Sequence, residues 1–184
     1  MSLLAERLLE IHRALSRAGL PYAFGGAIAL AYCSREPRGT RDLDVNVFVA
    51  PDRAAEVFDA LPPQVTAKAS DLSKATEEGQ VRLWWEETPV DIFLDVHEFH
   101  RDVQQRVVEV SFEGSTIPVL DCTALTVFKA LFNRTRDWAD IEEMISSGSL
   151  DADCACGWLR RIQGDDSPGA RRVARLADAA TAMP

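Results

Sequence analysis

Asp42 and Asp44 stand in a run of alternating character, "RDLDVNVFV". Successive side chains of a strand point to opposite faces. Leu43, Val45, Val47 and Val49 therefore share one side, and Asp42, Asp44, Asn46 and Phe48 share the other. Carboxylates two residues apart on a strand lie roughly 6.5–7 Å apart at Cα. Held that close they repel, and one tends to keep its proton at neutral pH. A divalent cation removes the conflict, because Mg2+ favours oxygen ligands and commonly takes carboxylates together with substrate phosphates. For D-x-D alone, an edge strand with a solvated polar face is the commoner cause, since exposed aspartates abound.

Two further features bear on that choice. Gly25-Gly26 precedes "AIALAYC", a run that predicts a helix to about Ser34. The first N–H groups of a helix lack internal partners and favour an anion, and glycine lets a phosphate approach the backbone. A tight turn would use the same pair. The second feature is "VDIFLDV", where Val90, Ile92, Leu94 and Val96 share one face while Asp91, Phe93 and Asp95 share the other. A carboxylate inside an apolar strand is costly unless it is paired or metal-bound. If this strand neighbours that of Asp42 and Asp44, three carboxylates converge, enough for two metal ions roughly 3.5–4 Å apart. Asp95 is the rival for the third place, but it lies nearer the strand end.

These residues need a frame. Leu3, Leu4, Leu8, Ile11 and Leu15 recur at helical spacing, predicting a helix over 2–18 ended at Gly19. Pro21 to Phe24 is a short extended entry, "REPRGT" is a loop, and a strand runs from Arg41. Pro51 opens a helix over roughly 52–61, and "DLSKATEEG" reads as an exposed polar stretch. A hairpin with strands near 81–86 and 90–96 turns around "ETP", and "RVVEVSFEGSTIPVL" makes a second hairpin. Helices are expected near 121–133, 136–146, 151–162 and 168–181. The order predicts an α+β fold: a small mixed β-sheet flanked by helices over residues 1–120, then a C-terminal helical region over 121–184.

Composition narrows the class. The chain has 184 residues, 47% of them apolar and 27% charged, which suits a packed globular domain. No apolar stretch approaches the roughly 20 residues that cross a bilayer. The N-terminal stretch, with Glu6 and Glu10, does not read as a secretion signal, so the expected compartment is the cytoplasm. A net charge of −9 argues against an extended nucleic-acid footprint, while leaving room for a small basic pocket. Cys33, Cys122, Cys154 and Cys156 contain no C-x-x-C, and Cys154-Ala-Cys156 is too tight for a zinc site; all four are expected to be reduced structural thiols. "HEFH" at 97–100 lacks the i, i+4 histidines of a zinc protease and reads as surface polarity. Trp84-Trp85 places one indole inward and one outward. Arg160, Arg161, Arg171, Arg172 and Arg175, interleaved with Asp165 and Asp166, read as a solvated face.

The ordered set Gly25-Gly26, "TRDLDV" and "VDIF" resembles the nucleotidyltransferase superfamily of DNA polymerase β type. "LDCTALTVFKALFNRTRDWADIEEMI" is similar to the helical region of minimal and abortive-infection nucleotidyltransferases, including type IV toxin–antitoxin toxins. There a lysine, an arginine and an acidic D-x-x-D segment match Lys129, Arg134 or Arg136, Asp137 and Asp140. The resemblance implies that Asp42, Asp44 and Asp91 hold Mg2+, with Asp91 also a general base. It implies that Gly25 and Gly26 meet the triphosphate of an NTP such as ATP, steadied by Arg38, Thr40, Arg41 and Lys129. One departure is Gly26, where the pattern often has serine. From the residues alone, Lys129 could instead snorkel from a buried helix, Asp137 could cap a helix near Trp138, and Asp140 could pair with Arg136. The expected reaction passes a nucleoside monophosphate to a small molecule, a protein hydroxyl or a tRNA 3′ end. A nucleotide-binding or regulatory module of the same fold without turnover is the competing reading. A purely structural partner protein would leave the acidic row unexplained.

Overall fold

The computed structural model of the chain describes residues 2–34 and 39–182. Helix α1 spans Leu3–Arg17, with the Ser2 hydroxyl accepting from the Ala5 N–H at 3.2 Å. It buries Ala5, Leu8, Leu9, Ile11 and Leu15, and also Arg7. A buried guanidinium must be paired: Arg7 donates to the Thr88 hydroxyl and to the Glu86 carboxylate and lies 5.6 Å from the Trp85 ring centroid. That contact ties α1 to the hairpin turn at Glu86-Glu87.

The remaining elements follow as β1 (Tyr22–Phe24), α2 (Gly26–Cys33), β2 (Leu43–Val47), a 3-10 turn (Pro51–Arg53), α3 (Ala54–Ala60), β3 (Val65–Thr66), α4 (Ala69–Glu78), β4 (Gln80–Trp85), β5 (Thr88–Leu94), α5 (Glu98–Gln105), β6 (Val108–Phe112), β7 (Ser115–Val119), α6 (Cys122–Phe132), α7 (Thr135–Ser146), α8 (Ala152–Gln163) and α9 (Pro168–Thr181). Among the described residues the strands form one seven-stranded mixed sheet in the order β3-β4-β5-β2-β1-β7-β6. The β2·β5 and β1·β7 pairs are parallel and the others antiparallel. One face is apolar by strict alternation: Leu43, Val45, Val81, Leu83, Val90, Ile92 and Leu94 are all buried. Helix α4 packs on β4, and α3 packs against α1 and α4. This is the α+β architecture expected from the sequence.

The chain forms two compact units, Met1–Ile28 with Gly39–Leu120, and Ala29–Arg38 with Asp121–Pro184. The sheet belongs to the first. The second holds α6 to α9 and also takes in most of α2.

Several local expectations need correction. The polar stretch 71–79 is inside α4, which buries Ala75, is capped by the Asp71 carboxylate accepting the Lys68 N–H, and stops at Gly79 with φ +68°. "HEFH" is the start of α5: His97 Nδ1 accepts the Phe99 N–H at 3.0 Å, and Phe99, His100 and Val103 are buried. The first hairpin turns at Glu86-Glu87, so β5 begins at Thr88. Trp85 points inward and Trp84 outward, as expected.

Cys33 and Cys122 are not separate reduced thiols. They form a disulfide between the end of α2 and the start of α6, with Cα atoms 5.4 Å apart and 89 residues between them in sequence. Cys154 and Cys156 take part in no disulfide. The Ser147 and Ser149 hydroxyls donate to the Cys33 carbonyl at 2.8 and 2.6 Å, satisfying the end of α2 in the same unit. Closing so long a loop restricts the unfolded chain, worth about 2–4 kcal/mol. Reduction is expected to lower the melting temperature by about 5–15 °C, measured by melting the chain with and without a phosphine reductant. An unchanged transition would mean the bond carries no stability.

Candidate active site

The predicted carboxylates lie in the sheet unit, and strand register decides which of them meet. Gly25 follows the end of β1, and its N–H donates to the Asp44 carbonyl at 2.9 Å. Asp44 in β2 stands directly beside Asp91 in β5, and Asp91 stands directly opposite Arg82 in β4. Gly25, Asp44, Asp91 and Arg82 thus form one transverse row across four adjacent strands. Neighbouring strands are about 4.7–4.9 Å apart, so Asp44 and Asp91 are close enough to repel. Asp95 lies beyond β5, about 13 Å further along the chain direction, and its N–H donates to the Val49 carbonyl. Register therefore puts Asp91, not Asp95, next to Asp44.

Asp42 is just outside the strand, since β2 begins at Leu43. Its carboxylate accepts from the Thr40 hydroxyl. Thr40 is thus engaged with a carboxylate rather than held out toward solvent. Arg41 is exposed, and Arg38 lies outside the described residues.

The glycine pair has a steric cause. Gly26 has φ +51°, and a Cβ there would sit 1.8 Å from Oδ2 of Asp44. A Cβ on Gly25 would meet Asn46 Nδ2 at 2.9 Å. The Asp44 carboxylate therefore fills the space a side chain at Gly26 would need, at the start of α2 where negative charge is favoured. This explains why serine is absent from that position. The Gly25 N–H is separately committed to the Asp44 carbonyl.

Arg82 is not among the residues that the sequence singles out. Its Nε and Nη2 donate to Oδ1 and Oδ2 of Asp91 at 2.8 and 2.7 Å, a two-pronged ion pair. The guanidinium is held above its ordinary pKa, chiefly by the hydrogen bond to Asp91 and further by the charges of Asp91, Asp42 and Asp44, against partial loss of solvent. Four residues thus form one electrostatic cluster: three carboxylates and one guanidinium. Among the described residues no group of three or more His, Cys, Asp or Glu is gathered tightly enough to hold a metal ion as it stands. The donor chemistry nevertheless suits a hard divalent cation, being all oxygen with formal negative charge in excess.

Lys129 belongs to the helical unit. It is only 4% exposed, and its Nζ lies 2.6 Å from Asp140 and 3.7 Å from Asp137, both buried. Asp137 is the third residue of α7, not its N-cap, yet it caps the helix from there, accepting the N–H and Nε–H of the N-cap residue Arg134 at 3.1 and 2.7 Å. The Asp140 carboxylate accepts from Lys129, a pairing between two helices that the i, i+4 spacing with Arg136 does not anticipate. A separate cleft of about 450 Å3 in the sheet unit is lined by His12, Ser16, Tyr22, Phe48 and Glu109 among others. It lies at the Tyr22 end of β1, away from Gly25, and none of the three carboxylates lines it.

Two solved structures of ANT(2'')-Ia share this architecture. One, in complex with adenylyl-2''-tobramycin, is 14% identical with a TM-score of 0.57, covering 98% of each chain. The other is a solution structure of the same antibiotic-resistance factor, 15% identical with a TM-score of 0.55, covering 96% of this chain and 90% of that one. The fold is that of a nucleotidyltransferase. No protein-family model matches the sequence, and no curated protein is similar to it in sequence. At such identity the nucleotidyltransferase fold is what the likeness establishes, and the chemistry rests on the row of residues described above.

Proposed function

We propose that this chain is a divalent-cation-dependent nucleotidyltransferase. The observation that carries the reading is the placement of Asp44 and Asp91 side by side on β2 and β5, with Asp42 at the strand entry and the α2 start against Asp44. Asp42, Asp44 and Asp91 would hold Mg2+, which when bound offsets phosphate charge and favours an ionised acceptor oxygen. The amides at the head of α2, with Arg41, would steady the triphosphate of an NTP. Asp91 would accept the proton of an acceptor hydroxyl. The acceptor oxygen then bonds to the α-phosphorus as the bond to pyrophosphate breaks, and the nucleoside monophosphate is transferred. The chain's work is alignment and fixed charge.

A small hydroxyl-bearing acceptor fits best, because the net charge of −9 disfavours a long nucleic acid. ANT(2'')-Ia, solved with an adenylylated aminoglycoside, has the same fold and supports that choice by analogy. Kinship with toxin–antitoxin toxins rests on the sequence of α6 and α7 alone. No described helix is long and apolar enough to cross a membrane; the supply of nucleoside triphosphates favours the cytoplasm, whereas the Cys33–Cys122 disulfide favours an oxidising compartment. A module that binds nucleotide without turnover gains support from one observation: Arg82 occupies both oxygens of Asp91.

The two readings separate in one assay. The protein is incubated with Mg2+ and each α-labelled NTP, alone and with tobramycin, tRNA or cell extract. Label transfer with release of pyrophosphate is the expected result. Metal-dependent nucleotide binding without transfer to any acceptor would favour the binding module, and no nucleotide binding would end both.

A further inference from the structure

A standing ion pair at the centre of a proposed metal site poses a question of charge. Arg82 and Asp91 are directly opposed in the β4·β5 register, and the guanidinium engages both carboxylate oxygens. Asp91 is the well-shielded member: its side chain is 14% exposed, against 52% for Arg82. The arginine therefore reaches in from solvent and can leave by rotating its own side chain, with no rearrangement of the strand. Asp91 has no such freedom, being fixed between β2 and β4. Asp42 and Asp44 also act on Arg82 through their charge.

We propose that Arg82 is the resident counter-ion of the carboxylate row, and that a divalent cation must compete with it for Asp91. This inference rests on the reading of Asp42, Asp44 and Asp91 as a metal site. Arg82 is then a positioning residue with two effects. It keeps the repelling pair Asp44 and Asp91 stable when no ion is bound. It also sets the concentration at which the ion enters. An ordinary cross-strand ion pair would contribute only to the stability of the sheet, and modestly. A pair that stays closed when the ion enters acts only as a nearby charge, and predicts parent-like affinity for Arg82→Lys and no loss of Arg82 Nε–H protection, so the two are distinguishable.

The test uses the full chain and Mn2+ as probe, titrated calorimetrically at constant ionic strength. Arg82→Gln is expected to bind Mn2+ about three- to tenfold more tightly than the parent, since a positive charge near a partly exposed site is removed. Arg82→Lys, which keeps the charge but loses the fork, should fall between. On the parent, the Arg82 Nε–H resonance should lose its exchange protection on addition of Mg2+, a measurement that needs no variant. Unchanged or weaker Mn2+ binding in R82Q, with the parent binding and D44N not binding, would overturn the role of Arg82 and leave the metal site intact. Binding to neither parent nor R82Q would overturn both. Binding to R82Q alone would support the competition in its strongest form.

Discussion

Asp44→Asn is expected to abolish nucleotidyl transfer while leaving the chain folded. Asp44 is the hinge of the row, lying against Gly26 on one side and Asp91 on the other. Asparagine has nearly the same shape, so it can place its carbonyl oxygen where a side chain at Gly26 would be. What it lacks is charge. Loss of one fixed charge at the reacting centre should cost about 100-fold or more in rate. Stability should hold or rise, because the neutral amide no longer repels Asp91, as removal of a strained functional group often does. The check is transfer rate beside melting temperature. Full activity in D44N would remove the proposed role of this carboxylate, and an unfolded variant would show that its charge holds the fold together rather than serving the reaction.

Lys129→Met should produce the largest loss of stability. Lys129 is buried among the carboxylates of Asp140 and Asp137, and methionine would take that cation from Asp140 while Asp137 keeps its pair with Arg134. Breaking one side of a buried pair costs about 3–5 kcal/mol, equivalent to roughly 10 °C in melting temperature for a chain of this size. A compensating K129M/D140N variant should recover part of that loss, because residues in one network are not additive. Transfer assayed well below the transition then distinguishes two roles for the lysine. An unchanged KM for NTP would mark it as the internal tie of the helical unit. A raised KM would restore the phosphate contact implied by the family resemblance.

The sequence was most readable where a pattern is local. Alternation around Asp44 and Asp91 identified both strands, and the glycine pair marked the start of α2. Pairing was less visible, because register between β2 and β5 is set by tertiary packing and not by either segment. Arg82 carries a signal of its own: with the turn at Glu86-Glu87, counting back sets Trp85 against Thr88 and Arg82 against Asp91. Placing the turn at "ETP" shifts that register and hides the pair. Helices α4 and α5 are faint in the sequence because each presents few apolar residues. Their ends are fixed by single side chains, Asp71 and His97, whose capping is legible only once the helix is suspected. The Lys129 pairing depended on α6 lying along α7, and the Cys33–Cys122 bond joins segments that no spacing rule connects.

The Cys33–Cys122 bond also has a topological effect. Its two ends bracket the whole stretch 34–121, which carries Asp42, Asp44, Arg82 and Asp91. A single protease cut anywhere within that bracket would release nothing: both fragments would remain covalently joined, and the sheet could keep its strands in place. Only after chemical cleavage of the sulfur–sulfur link would the pieces separate, so a nicked molecule would travel as one species until reduced.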